Sequence, residues 1–255
     1  MSTTASRKSR RTKSAQRAPS RDDGASSGEA SHLLDESFFQ RDFLTVAQEL
    51  IGVELVWRGC SGLIVETEGY AVEGDEASHA VTRPSTREFM RVQTPGTAYV
   101  YFNYGMYWML NMLVKGGPRD GIILIRALEP MQGVDQMKLR RGREKVEDLC
   151  SGPGKLTVAL GITGVDHGVH LAGPHRAEGV GLRRPVLDGD GANGLSGQER
   201  EQRIYKFVED IRVGISKATD YPWRFLVKDH PHVSVPHGKV KLPRVKAVKI
   251  SVKKR

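Results

Sequence analysis

The sequence predicts an α+β fold: one mixed domain with a curved, mainly antiparallel sheet flanked by helices, and disordered basic ends. Three observations carry this. Five short runs with strand character lie between residues 53 and 128, and short connections between neighbouring runs favour an antiparallel meander. Helical spacing is read before the first run and after the last. The formal net charge of +9 sits at the termini, because residues 1–21 carry seven Lys or Arg and no acid, residues 238–255 carry eight and no acid, and the body between them sums to −6. Blocks of like charge repel themselves and stay unfolded, often as tails that bind polyanions.

Taken in order, residues 1–37 are rich in Ser, Arg, Ala and Gly and are expected to be disordered. The spacing of Phe43, Val46, Ala47, Leu50 and Ile51 predicts a short amphipathic helix over 42–51, ended by Gly52. Strands are expected over Val53–Trp57 and Gly62–Tyr70, around a turn at Gly59–Gly62. Three more follow over Thr97–Tyr104, Tyr107–Val114 and Gly121–Leu128, punctuated by Gly105 and by Gly116-Gly117-Pro118. Pro130 suits the first turn of a helix running to about Arg143, and Lys155–Ile162 reads as another. Residues 172–198 are Gly-rich and read as a long loop. No segment recurs at a fixed period.

Several classes drop out. Apolar runs such as Ile122–Ile125 are broken by charge well before the roughly 18–20 residues of a membrane span, and no apolar signal region follows the first basic residues. Cys60 and Cys150 form no CxxC pair, and neither His167-x-x-His170 nor His230-x-His232 matches a zinc pattern. Ser151-Gly-Pro-Gly-Lys155 lacks the spacing of a phosphate loop. A soluble protein of a reducing compartment, without bound metal, is expected.

Two constellations carry chemistry. In Ile64–Tyr70, strand alternation puts Ile64, Glu66, Glu68 and Tyr70 on one face and Val65, Thr67 and Gly69 on the other. Two carboxylates and a phenol make a poor core; they form either a solvated face or an acid/base group beside an aromatic platform. Four of the seven tyrosines fall within Tyr99–Trp108, with Tyr104 and Gly105 at the turn. Aromatic rings exposed at a hairpin tip stack on bases or enter a base step. Arg126 interrupts Ile122–Leu128 on the face of Ile122 and Leu124, and a buried guanidinium needs a carboxylate, for which Glu66 and Glu68 are the candidates. Asn111 interrupts Trp108–Val114 in the same way.

With these residues in view, the chain resembles the alkyladenine (3-methyladenine, or methylpurine) DNA glycosylase family of base-excision repair. The resemblance lies in Ile64–Tyr70, Asp75–His79, Pro95-Gly-Thr97 with Tyr99–Asn111, Ile123–Pro130, Cys150–Leu156, Arg224–Val227 and Pro231–Val235. It implies a glycosylase domain over residues 38–237, between an N-terminal tail of 1–37 and a C-terminal tail of 238–255. It further implies an enzyme that everts alkylated or deaminated purines from duplex DNA and hydrolyses the N-glycosidic bond without cutting the strand.

By position, Glu68 resembles the base that activates water and Arg126 the residue that holds it. Tyr70, His79 and Tyr101 match walls that stack on the flipped base, with Tyr99 and Leu124 nearby. Asn111 matches the residue that crowds the 2-amino group of guanine. Tyr104 matches the side chain that fills the gap in the duplex, and Met106 lies on the same minor-groove surface. No cofactor is implied; the partner is double-stranded DNA and not a membrane. A monomer is expected inside the cell, in the cytoplasm or nucleoid of a bacterium or the nucleus of a eukaryote. Ser85-Thr86-Arg87-Glu88 departs from the family's frequent Thr-x-Arg-Asn, which bears on DNA contacts of that loop. Two other readings compete: a lesion-binding protein without catalysis on the same fold, and a glycosidase that pairs Glu66 with Glu68 on free nucleosides or sugars.

Overall fold

The computed structural model describes Met1, residues 33–184 and residues 206–241; residues 2–32 of the tail expected over 1–37, residues 242–255 of the tail expected over 238–255, and residues 185–198 of the loop expected over 172–198 lie outside the described residues. The sheet of the folded unit is built from β1 (Glu54–Trp57), β2 (Cys60–Ala71), β3 (Ala98–Asn103), β4 (Tyr107–Val114), β5 (Gly121–Gln132), β6 (Val180–Arg183), β7 (Phe207–Asp210) and β8 (Arg224–Val227). Its order is β3-β4-β5-β2-β1-β6, with β8 added to β2 and β7 to β8, and every pairing between these strands is antiparallel. The α+β class with a curled antiparallel sheet is therefore observed.

One face of β2 is covered by α1 (Phe43–Glu49), whose N-terminus is capped by the Asp42 carboxylate accepting from Leu44 N–H at 3.0 Å. Thr67 Oγ1 donates to the Ala47 carbonyl at 2.8 Å. Gly69 and Gly121 lack a side chain where Phe43 docks; a Cβ would stand 2.9 Å and 2.6 Å from its ring. The fully buried Phe43 is thereby set into the principal core, and the opposite face of β2 is left to Glu66, Glu68 and Tyr70. A smaller apolar cluster lies beneath α2 (His79–Thr82) and α3 (Pro84–Val92), joining Phe89 and Met90 to Tyr99, Leu113 and Ile122. The helices α4 (Val134–Arg141) and α5 (Pro153–Leu160) follow β5 in the chain; Thr157 Oγ1 on α5 donates to the Trp108 carbonyl of β4 at 2.9 Å.

Four expectations are corrected. Pro130 extends β5 rather than opening a helix: it sits opposite Gly62 at a register shift, where a missing N–H is tolerated, and α4 starts after the left-handed Gly133. Ile64 does not share the face of Glu66. Two β2 residues, Val65 and Glu66, span a single step of β5 from Leu128 to Ala127, so Val65 is bulged and Ile64 turns into the principal core with Leu128. The stretch read as a loop over 172–198 contains β6, which pairs with β1. Finally, the N-terminal segment expected to be disordered to residue 37 is folded from Leu33: Leu33 bridges Arg183, and Leu34 is buried with its N–H donated to the Leu182 carbonyl.

Candidate active site

Immediately after the Val65 bulge, β5 carries the compensating one. Glu66 faces Ala127 and Thr67 faces Ile125, so Arg126 is the extra residue between them. Bulges of this kind re-aim side chains beside functional sites. Here Arg126, 6% exposed, is aimed at both carboxylates: its Nε donates to Glu66 Oε1 at 2.9 Å and its Nη1 to Glu68 Oε2 at 3.1 Å. Burial alone would lower the pKa of Arg126, but Glu68 and Glu66 outweigh it and raise it well above the ordinary value.

The two acids have different surroundings. Glu66 is saturated, accepting also from Arg224 Nε at 2.7 Å, Ser234 N–H at 2.6 Å and Ser234 Oγ at 2.8 Å. Against burial, Arg126 and Arg224 hold its carboxyl below the usual range. Glu68 accepts instead from the Tyr70 hydroxyl at 2.8 Å and from the Val213 N–H at 2.6 Å. Tyr70, Arg126 and Val213 all line one cavity of about 390 Å³, with Glu68 directly behind them and fully buried. Alternation could not tell the two acids apart; their partners differ.

The cavity also takes in His79, Tyr99, Tyr101, Tyr104, Asn111 and Leu124. Eight of the ten expected site residues thus border one space; Glu68 lies one hydrogen bond behind it, and Met106 stands outside at the hairpin tip. His79 and Tyr101 meet edge to face with centroids 4.3 Å apart. The Tyr99 hydroxyl lies 2.8 Å from Thr86 Oγ1 and 3.3 Å from His79 Nδ1. Asn111, directly opposite Tyr99, donates from Nδ2 to the Tyr99 carbonyl at 3.0 Å. Burial, then the neighbouring Tyr99, pushes the Tyr101 phenol up to about 12, so it stays protonated. The Ser85–Glu88 segment expected to be a loop lies on α3, where Glu88 pairs with Arg91 on the surface at 2.6 Å while Thr86 faces inward to Tyr99.

Burial, with the Arg83 cation beside it, holds His79 down to about 4, and burial also lowers His167 and His232. All three rings are neutral in the native protein at neutral pH. An unfolded His takes up its proton near pH 6.5, so below that value the unfolded state binds more protons and stability is lost as pH falls toward 4. Tm is expected to fall between pH 6.5 and 4.5, with a shallower slope in His79→Gln. A slope unchanged in that variant would contradict the assignment.

At the cavity mouth, the β3–β4 hairpin turns through Tyr104 (φ 49°) and Gly105 (φ 67°), closed by Met106 N–H on the Asn103 carbonyl at 3.0 Å. Tyr104 is 78% exposed and Met106 65% exposed. A tyrosine held in the left-handed region with its ring in solvent costs roughly 1–2 kcal/mol and gains no burial in return, a pattern that marks functional turns. Tyr104→Asn, which tolerates that conformation, is expected to stabilise the fold by up to about 1 kcal/mol while weakening affinity for lesion-bearing duplex. Calorimetry and anisotropy measure both; unchanged affinity would contradict the DNA contact that the family resemblance implies for Tyr104.

The methylpurine-DNA glycosylase family model matches residues 37–231. The chain belongs to the methylpurine-DNA glycosylase family. Relatives in Rhodopseudomonas palustris strain CGA009 (40% identical over 205 residues, 80% of this chain and 89% of theirs) and Agrobacterium fabrum (41% over 201 residues, 79% and 92%) carry the provisional name 3-methyladenine DNA glycosylase. One in Prosthecochloris aestuarii, 36% identical over 204 residues (77% and 88%), is named likewise. The family resemblance read from the sequence is thus established, and with it a DNA glycosylase associated with repair of alkylated bases.

Sequence reasoning missed several residues of this glycosylase site. Arg224 interrupts the apolar run Trp223–Val227 as Arg126 interrupts its own strand, and the same signal was there to be used. Arg212 and the Val213–Lys217 segment of the cavity wall gave no comparable signal. Among the described residues, no helix is long and apolar enough to cross a membrane, and no group of three His, Cys, Asp or Glu side chains is arranged to hold a metal ion.

Proposed function

We propose that the protein everts an alkylated or deaminated purine nucleotide from duplex DNA, approached from the minor groove, and hydrolyses its N-glycosidic bond with a water activated by Glu68. The observation that carries this is the Glu68 carboxylate, desolvated and gripped by three groups of the wall of an aromatic cavity. The flipped base stacks among Tyr70, His79 and Tyr101 with Asn111 at its edge, and Tyr104 fills the gap left in the duplex, offsetting part of the few kcal/mol that eversion costs.

The bond to the base breaks with the electron pair leaving on nitrogen, and an oxocarbenium-like sugar develops beside Glu68. That carboxylate stabilises the positive charge and takes a proton as water adds to C1′. Arg126 fixes Glu68 and keeps it from repelling Glu66. A purine alkylated at N3 or N7 already carries positive charge and departs neutral, so no acid is required; hypoxanthine or ethenoadenine needs further help in leaving.

Glu66 is enclosed by Arg126, Arg224 and Ser234 and is not a second catalytic carboxylate, which argues against a glycosidase of free sugars. Base release from duplexes with methylated, hypoxanthine or ethenoadenine bases, run beside the corresponding free nucleosides, tests the substrate class. Turnover of duplex lesions alone is expected; comparable turnover of nucleosides would overturn the reading.

A further inference from the structure

We infer that Arg212 is a positioning residue for the glycosylase chemistry, holding two of the three groups that orient Glu68; this rests on the reading of Glu68 above. Arg212 is fully buried and grips Asp75 through two hydrogen bonds, Nη1 to Oδ2 at 2.6 Å and Nη2 to Oδ1 at 2.9 Å. The same nitrogens also donate to the Gly69 and Ala218 carbonyls at 3.0 Å each. Asp75 is anchored in turn by the N–H groups of Ala71 and Ala77.

Two consequences meet at Glu68. The guanidinium lies 4.6 Å from the centroid of the Tyr70 ring, bracing the phenol whose hydroxyl donates to Glu68 Oε2. The next residue is Val213, whose N–H donates to Glu68 Oε1. Arg212 thus ties the end of β2, which carries Tyr70, to the loop that carries Val213, and it touches neither Glu68 nor Arg126 by any hydrogen bond. A lysine keeps the charge opposite Asp75 but cannot supply a planar fork that reaches both carboxylate oxygens and both carbonyls.

The test is single-turnover excision and lesion-duplex affinity of Arg212→Lys, alongside Glu68→Gln, Tyr70→Phe and the Arg212→Lys/Tyr70→Phe double variant. The expected result is affinity within about twofold of the unaltered protein and an excision rate reduced at least about tenfold, the scale of a slight misplacement of a catalytic group. The loss in the double variant should be smaller than the product of the single losses, because both act on Glu68. Should Arg212→Lys not fold, Arg212→Gln with Asp75→Asn, which leaves no unpaired buried charge, is measured in its place. An unchanged excision rate, a parallel fall in affinity, or multiplicative losses overturn the inference while leaving Glu68 in its role if Glu68→Gln is inactive. Wild-type excision by Glu68→Gln removes the reading on which the inference rests.

Discussion

Glu68→Gln is expected to bind lesion-bearing duplex as the unaltered protein does and to lose at least about 10²-fold in single-turnover excision. Glutamine keeps the shape, and with its oxygen at the Oε2 position it still accepts from Tyr70 and Arg126, giving up only the bond from the Val213 N–H, so most of the cavity wall stays in place. What it lacks is the charge opposite the developing oxocarbenium and a basic site for the proton of water. Loss should therefore appear in the chemical step and not in affinity. Rapid-quench measurement at saturating protein separates the two, and a rate equal to that of the unaltered protein would remove Glu68 from the mechanism.

Arg126→Met is expected to be the most damaging single change to stability. Arg126 is 6% exposed and stands between two fully buried carboxylates. Removing one partner of a buried ion pair costs about 3–5 kcal/mol, because the charge left behind is uncompensated. For a domain of this size that lowers Tm by on the order of 10 °C. Because cations hold the Glu66 pKa below its ordinary value, their stabilisation is fully present above about pH 4.5 and is lost as pH falls through the native pKa. The deficit of Arg126→Met should accordingly be largest near neutrality and shrink in acid. A deficit independent of pH would mean that the lost contribution is packing and not charge.

The parts of this site that rest on strand period were legible. Glu66, Glu68 and Tyr70 on one face, Arg126 beside Leu124, and a tyrosine at the hairpin tip all follow from alternation and a turn, and each is where the pattern puts it. The bulges were not legible, because an extra residue leaves the composition of a strand unchanged and shows only when its partner is known. Val65 therefore turned Ile64 to the other side, and Arg126 gained its reach.

Long-range pairing hid the rest. Arg212 meets Asp75 across 137 residues from a loop beyond β7, and Arg224 meets Glu66 across 158 from the four-residue β8, too short to carry a period. The choice between Glu66 and Glu68 came from the family resemblance, and the proposed mechanism builds on the hydrogen bonds that separate them: Glu66 is enclosed by two arginines and Ser234, whereas Glu68 is tied to the cavity wall.

The most direct measurement is the fate of a single N7-methylguanine in a labelled duplex incubated with the unaltered protein. Free 7-methylguanine should appear in proportion to alkali-labile sites, in a strand that stays intact until alkali is added. A protein that retains the duplex without releasing the base, or that cuts the strand before alkali, would contradict hydrolysis by a carboxylate-activated water.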